Sequence, residues 1–266
     1  MLDLVYIVKA EEKNDDLRYS LRSVAKFVPH SRIWIIGYKP SWVTNVEYIP
    51  VAQNLGSKWK NSVNNIMQAC KCEEISENFV LMNDDFFAIK QIDNLEESIN
   101  LSLGLLSVAV EKQKKKRVHS NWGMAFVHVN KLLKTLKVDG PYYNYESHTP
   151  LLINKEKYLN VMELPEVKKF MKTPKVLHKR TLYKNIDKTT PKVLLKDVKL
   201  SQFKDDTRER SQICDWLSVY DKQVGNKKFS HLNQLLKSLF PTPCIYETHP
   251  EHVKSTTNPN RRCKYF

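Results

Sequence analysis

The sequence predicts an α/β domain of Rossmann-like type, with a mixed, mostly parallel sheet flanked by helices and a basic α+β part towards the C-terminus. Three observations lead there. Short β-rich apolar runs alternate with amphipathic helical spacing over the first 90 residues, which is the pattern of strands joined by crossover helices. Hydrophobic residues make up 41% and charged residues 27% of 266, enough to build one sizeable core and too apolar for a disordered chain. Polar and acidic residues gather where the apolar runs stop, and ligands of open α/β sheets bind at the carboxyl ends of strands.

Leu4–Val8 reads as a buried first strand. Leu17, Leu21, Val24 and Phe27 then recur at helical spacing, with Asn14 or Asp15 as N-cap and Pro29 as the stop. Arg32–Tyr38 is a second strand that opens into a loop at Gly37, and Val46–Pro50 a short third. Lys60–Cys70 reads as a helix, and Phe79–Met82 as a strand ending at Asn83-Asp84-Asp85. Beyond Ile92 the spacing predicts a helix over Leu95–Val110, a strand over Asn121–Val129 and a short helix over Asn130–Leu136. Tyr142–Pro150 reads as an aromatic, polar loop leading into Leu151–Ile153. Helical patterning covers 154–172, a lysine-rich stretch 173–210, a helix the region of His231–Leu239, and a basic tail starts near Lys254. The chain divides at about residue 110 into an α/β part, 1–110, and a C-terminal part, 111–266, of the same domain.

Six glycines and the lack of a phosphate-binding glycine fingerprint exclude a P-loop enzyme and a classical dinucleotide-binding protein. The net charge of +14 is unevenly spread. Residues 1–110 carry 11 basic and 14 acidic side chains, residues 111–200 carry 21 and 8, and residues 201–266 carry 11 and 7. A net +13 within 90 residues attracts polyanions, unless it is simply a lysine-rich solvated face. Cys70, Cys72, Cys214, Cys244 and Cys263 are odd in number and fit no zinc spacing, which predicts reduced thiols and a cytoplasmic protein. No secretory leader and no apolar run of membrane-spanning length is evident.

The strongest local signal is Phe79-Val-Leu-Met-Asn-Asp-Asp-Phe-Phe, which delivers Asp84 and Asp85 together to a strand end. Crowded carboxylates repel unless a cation neutralises them. Mg²⁺ or Mn²⁺, hard ions that take oxygen ligands, suit such a pair. A turn in which Asp84 caps a helix and Asp85 is solvated is the alternative. Lys58-Trp-Lys-Asn61 precedes a helix, whose free N–H groups and the side chains of Lys58 and Asn61 suit a nucleotide. Lys9 and Asp16 fall on the same strand-end edge. Arg18 and Arg22 sit one helical turn apart and can share a phosphate. Glu146 and His148 offer a carboxylate and an imidazole two residues apart, either of which suits a catalytic base or a third metal ligand. Arg180, in His178-Lys-Arg-Thr-Leu-Tyr183, suits leaving-group phosphate or acceptor contact.

Asn14-Asp-Asp-Leu-Arg-Tyr-Ser-Leu-Arg-Ser-Val, Ile33-Trp-Ile-Ile and Phe79–Phe87, with a looser match over Tyr145–Glu156, resemble the stealth family. These are sugar-phosphate transferases of capsular polysaccharide synthesis, related to type A (GT-A) nucleotide-sugar glycosyltransferases. The chain also looks like phage-encoded glycosyltransferases. The resemblance implies a GT-A-like fold. It further implies Asp85 as the principal Mn²⁺ or Mg²⁺ ligand, and Asn83 and Asp84 against the metal and ribose of a nucleotide-sugar donor, a UDP-sugar foremost, with 1–110 as the nucleotide-sugar-binding part and 111–266 as the acceptor-binding and C-terminal part of one catalytic domain; His148 is the residue expected to complete the metal site. Where the family has Trp-Val-Asp-Gly, this chain has Lys9-Ala-Glu-Glu-Lys, which favours plain glycosyl transfer over transfer of a sugar phosphate.

Three functions follow as expectations. The leading one is a metal-dependent glycosyltransferase with an anionic acceptor, either hydroxymethylated DNA or a surface glycan, working in the cytoplasm (that of the host, for a phage enzyme). The second is a sugar-1-phosphate transferase. The third is a non-enzymatic nucleic-acid-binding protein in which the aspartates are incidental.

Overall fold

The computed structural model describes residues 1–248; the tail expected from Lys254 and Cys263 lie outside them. Ten helices and seven strands follow one another among these residues. They run β1 (Asp3–Val8), α1 (Asp15–Phe27), β2 (Ile33–Gly37), β3 (Glu47–Pro50), α2 (Lys58–Lys71), β4 (Asn78–Asn83) and β5 (Phe86–Ala88). Then come α3 (Leu95–Ser98), α4 (Leu106–Lys114), α5 (Asn121–Thr135), β6 (Leu151–Asn154), α6 (Lys155–Glu163), α7 (Pro165–Met171) and α8 (Lys179–Ile186). α9 (Thr207–Arg210), β7 (Trp216–Ser218) and α10 (Ser230–Leu239) complete the order.

The main sheet has the order β3-β2-β1-β4-β6. β1 to β4 are parallel and β6 joins antiparallel, Leu81 facing Leu151. Strand alternation divides the core between the two faces. Leu4, Tyr6 and Val8 pack with Leu17, Leu21 and Val24 of α1 on one side. Val5, Trp34 and Leu81 pack on the other, with α2, α5, α6, α7 and α8. Because both faces are covered, the strands are apolar almost throughout. Each of the three buried aliphatics of α1 contributes at most about 1.5–3 kcal/mol. β5 and β7 form a second, two-stranded ribbon in which Phe86 faces Ser218.

Gly37 ends β2 at φ +110°, and a Cβ there would meet the Val8 carbonyl oxygen at 2.5 Å. Only glycine allows the chain to leave the sheet so close to β1.

Two elements differ from expectation. The strand expected over Asn121–Val129 and the short helix after it are one helix, α5. Ser120 caps it by accepting a hydrogen bond from Gly123 N at 3.0 Å, and Ala125, Val129, Leu132 and Leu133 form its buried stripe. The apolar and aromatic content of the first half imitates a strand, but the stripe has helical period. The helix expected over Leu95–Val110 is broken into α3 and α4. Asn100 and Gly104 take left-handed φ of 59° and 83°, and the Asn100 side chain accepts from Leu152 N at 3.0 Å, tying the break to β6. The later half of the chain thus adds a strand to the main sheet and a partner for β5.

Candidate active site

After β1 the chain turns through α1 to β2 on one side, while β4 lies on the other. The carboxyl ends of β1 and β4 therefore border the crevice where the order of strands reverses, the place for a ligand in such sheets. Lys9 follows one strand, and the turn Asp84-Asp85 follows the other.

Helix α1 holds this turn. Asn14, its N-cap, accepts from Leu17 N at 2.9 Å and donates through Nδ2 to Asp84 Oδ2 at 2.8 Å. Ser20 donates to the Phe86 carbonyl at 2.5 Å, and Ser23 accepts from Ala88 N at 3.0 Å. Three short polar side chains thus clamp the segment that carries the aspartates. Asn83 ends β4 opposite Ile7 of β1.

The aspartates outnumber their cations. Burial and then the charge of Asp85 push the Asp84 carboxyl up to about 6, against the opposing bond from Asn14. Burial, then Asp84 and Asp85, push Asp16 up to about 8. Lys9 bonds Asp221 at 3.0 Å and Glu11 at 3.0 Å. Asp16 thus keeps its proton through neutral pH, whereas Asp84 holds one only in mild acid.

A carboxyl whose value rises on folding holds a proton that the unfolded chain gives up. Its favourable contribution is complete below the ordinary value of 3.8, erodes as pH rises, and is gone above about 8. Asp16→Asn is accordingly expected to raise Tm at pH 8 by ~2–4 °C, for a gain on the order of 1 kcal/mol, and to leave it unchanged near pH 4. Thermal melts across this range check it; a gain that is larger in acid sinks it.

Asp85 behaves oppositely. Burial favours its neutral form, but the Lys199 ammonium beside it overrides burial and holds its carboxyl below the usual range. Lys199 Nζ lies 2.8 Å from Asp85 Oδ2, and Ser218 Oγ donates to the same oxygen at 3.0 Å.

His148 stands nearby, close enough for its charge to be felt by Asp85. Its backbone is left-handed, at φ 53°, a conformation a non-glycine residue holds only where the surroundings impose it. Nδ1 lies 2.8 Å from Asp197 Oδ2, which assigns the ring proton to Nδ1 and leaves Nε2 as the basic nitrogen. Trp122, at the start of α5 and 37% exposed, stacks on the imidazole with ring centres 6.0 Å apart. Arg180 is buried, bonds the Thr149 carbonyl, and feels the charges of Glu146, Asp85 and Asp197. Its Nε has no hydrogen-bond partner among the described residues.

These residues do not fit a divalent cation. Lys199 and Ser218 both take Asp85 Oδ2, and Asp197 takes His148 Nδ1, so each keeps one donor atom, but no group of three or more His, Cys, Asp or Glu among the described residues is placed to hold a metal ion.

Other predicted site residues serve elsewhere. Arg18 bonds Glu247 at 2.5 Å, and Arg22 bonds it at 2.6 and 2.9 Å, so both guanidiniums fasten the C-terminal segment to α1 rather than facing the crevice. Glu146 accepts from Thr181 N at 3.3 Å and Thr181 Oγ1 at 3.1 Å, tying the loop to the first turn of α8. With both oxygens turned to α8 and His178, 3.7 Å away, it is not arranged as a base. Lys58 is exposed over the Trp59 ring, 5.1 Å from its centre, and Asn61 accepts from Leu55 N at 3.0 Å. They lie at the start of α2, on the strand-end side, apart from the aspartates. Lys199, Asp197, Ser218 and Trp122 were not legible beforehand. Cys70, Cys72, Cys214 and Cys244 form no disulfide, and no helix among the described residues is long and apolar enough to cross a membrane.

No protein-family model and no curated protein sequence matches the chain. Solved structures do match. The galactosyltransferase LgtC, in complex with donor and acceptor sugar analogues, is 11% identical over 91% of this chain and 98% of its own, with a TM-score of 0.52. An active-site mutant of LgtC matches at 13% identity, with the same coverage and a TM-score of 0.51. The apo bifunctional enzyme WbbM matches at 9% identity over 91% of this chain and 50% of its own, with a TM-score of 0.54. The fold, a mixed α/β architecture around a mostly parallel sheet, is that of the GT-A glycosyltransferases.

Proposed function

We propose that the chain is a glycosyltransferase that moves a sugar from a nucleotide-diphosphate sugar to a hydroxyl of an anionic acceptor. The observation that carries this reading is the His148–Asp197 pair, 2.8 Å apart, beside the Asp85–Lys199 pair at the strand-reversal crevice of a GT-A fold. The parts have complementary work. His148 Nε2 takes the proton of the acceptor hydroxyl, with Asp197 stabilising the imidazolium that results. The acceptor oxygen forms its bond to the anomeric carbon as the carbon–oxygen bond to the diphosphate breaks. The electron pair of that bond leaves with the phosphate oxygen. Trp122 offers an apolar ring face beside the base, suited to the flat side of a sugar. Lys112 and Lys114 at the end of α4, and Lys115, Lys116 and Arg117 just after it, are exposed, which supports an anionic acceptor.

The test is a panel of nucleotide sugars, each incubated with the protein with and without Mn²⁺, followed by thermal melts and product analysis. A ligand present at 100 times its Kd stabilises by about 2.7 kcal/mol, so even a slow enzyme reveals its donor. Stabilisation with release of a nucleoside diphosphate is expected. Release of a nucleoside monophosphate instead makes the enzyme a sugar-phosphate transferase. A panel that neither binds nor reacts overturns the proposal.

A further inference from the structure

We infer that the cation serving the donor diphosphate is the ammonium of Lys199, built into the chain, and that diphosphate binding needs no divalent metal. The inference deepens the donor-site reading above and rests on it.

Lys199 does not reach Asp85 from a loose loop. It pairs with Ser218 in a parallel bridge, Leu200 N donates to the Ser218 carbonyl at 2.8 Å, and Ser218 N donates to the Val198 carbonyl at 3.4 Å. Ser218 in turn faces Phe86 across the β5–β7 ribbon, one residue past Asp85. The carboxylate, in the turn before β5, and the ammonium, on the segment bridged to β7, are therefore held by one hydrogen-bonded framework. Asp197, two residues before Lys199, holds His148 and accepts from Lys199 N at 3.2 Å. One short segment thus supplies both the partner of the base and the cation.

The ammonium is 14% exposed and its carboxylate 13%. Its nitrogen also lies 4.6 Å from the centre of the Tyr220 ring, a second attraction for a cation. An ammonium has three N–H donors, and among the described residues Asp85 is its only hydrogen-bond acceptor. Donors remain for phosphate oxygens, and Arg180 with its unpartnered Nε brings a second positive charge to the same carboxylates. Lys199 and Ser218 both hold Asp85 Oδ2, so a divalent ion on Asp85 would share that carboxylate with a buried ammonium, an arrangement disfavoured by desolvation and repulsion. A fixed ammonium aimed at a departing diphosphate supplies the preorganised charge that a metal would otherwise bring.

The test titrates the full chain with UDP, ADP, GDP, CDP and dTDP in buffer containing EDTA, and again with Mn²⁺, by calorimetry. At least one diphosphate is expected to bind in EDTA, with a Kd changed less than about threefold by Mn²⁺. Lys199→Ala is expected to weaken that binding at least about tenfold, a loss of 1.4 kcal/mol or more, and Lys199→Arg to restore most of it. If removal of the ammonium leaves Asp85 too costly to bury and the single variant does not fold, Lys199→Met combined with Asp85→Asn removes both charges together. That variant must show the same loss. Binding that appears only with Mn²⁺ overturns the inference and leaves the donor site standing. So does undiminished binding in EDTA by the folded variants. If no diphosphate binds in either buffer, the donor-site reading falls as well.

Discussion

Replacing His148 by Ala is expected to lower kcat by about 10²–10⁴-fold, the usual contribution of a positioned general base. The donor Kd is expected to change little, because the imidazole acts on the acceptor hydroxyl and not on the diphosphate. Asp197→Asn tests the geometry behind this. An amide in place of the carboxylate still occupies the position 2.8 Å from Nδ1, but it carries no charge to stabilise the imidazolium and need not select the same tautomer. A fall of about 10²-fold or more in kcat with donor binding unchanged is therefore expected for Asp197→Asn too. The measurements are steady-state kinetics on the donor identified by the panel, and calorimetry of that donor. A His148→Ala enzyme retaining most of its kcat removes the base from the mechanism.

Glu247→Ala should be the most damaging substitution for stability among the charged residues. Its side chain is 1% exposed and bonded to Arg18 and Arg22. Without it two guanidiniums, that of Arg22 only 12% exposed, remain where they were with no carboxylate between them. Removing one partner of a buried ion pair costs about 3–5 kcal/mol. Arg18 is 29% exposed and sits over the Trp42 ring, so solvent softens its share and the lower end applies, ~3 kcal/mol. That corresponds to a fall in Tm of about 6–12 °C for a chain of this size. The direction with pH follows from the carboxyl itself. Burial raises its value, but the bonds from Arg22 and Arg18 more than reverse this. The stabilisation is therefore present above the ordinary glutamate value of 4.5 and is lost as pH falls through the lower value of the folded state. The gap between the two proteins should narrow in acid. Melts at pH 4 and pH 7 check this, and a gap that widens in acid refutes it.

The clamp also shows why sequence spacing misled at these positions. Arg18 and Arg22 do share one face of α1, as their separation requires, but that face meets a segment more than 200 residues away. Spacing within a helix says which side chains are neighbours and nothing about what lies opposite. Asn14 is the contrary case. Capping is local chemistry, so its place before the first helix was readable, and the bond it makes to Asp84 is the only long-range part. Ser20 and Ser23 stand between these cases: two small polar residues on the buried side of an otherwise amphipathic helix were a visible sign that this side meets backbone as well as apolar side chains.

The pair at Asp85 follows the same division. An apolar run ending in two aspartates marks a strand end that must find positive charge, whatever supplies it. The supplier, Lys199, sits in the lysine-rich region 173–210, where no local feature distinguishes it from its neighbours. It acquires its role because the bridge to Ser218 and the β5–β7 ribbon bring it beside the aspartate.

What the sequence determined by itself was the alternation of strands and helices through Asn83, and the strand end at which Asp84 and Asp85 are delivered together. These depend on periodicity, capping and apolar runs, which are properties of neighbouring residues. Only the tertiary structure decided which charge meets which: Lys199 on Asp85, Asp197 on His148, Glu247 between two arginines. Ionic partners are chosen by proximity after the chain has packed, and a charge carries no mark in the sequence of the distant residue that will neutralise it.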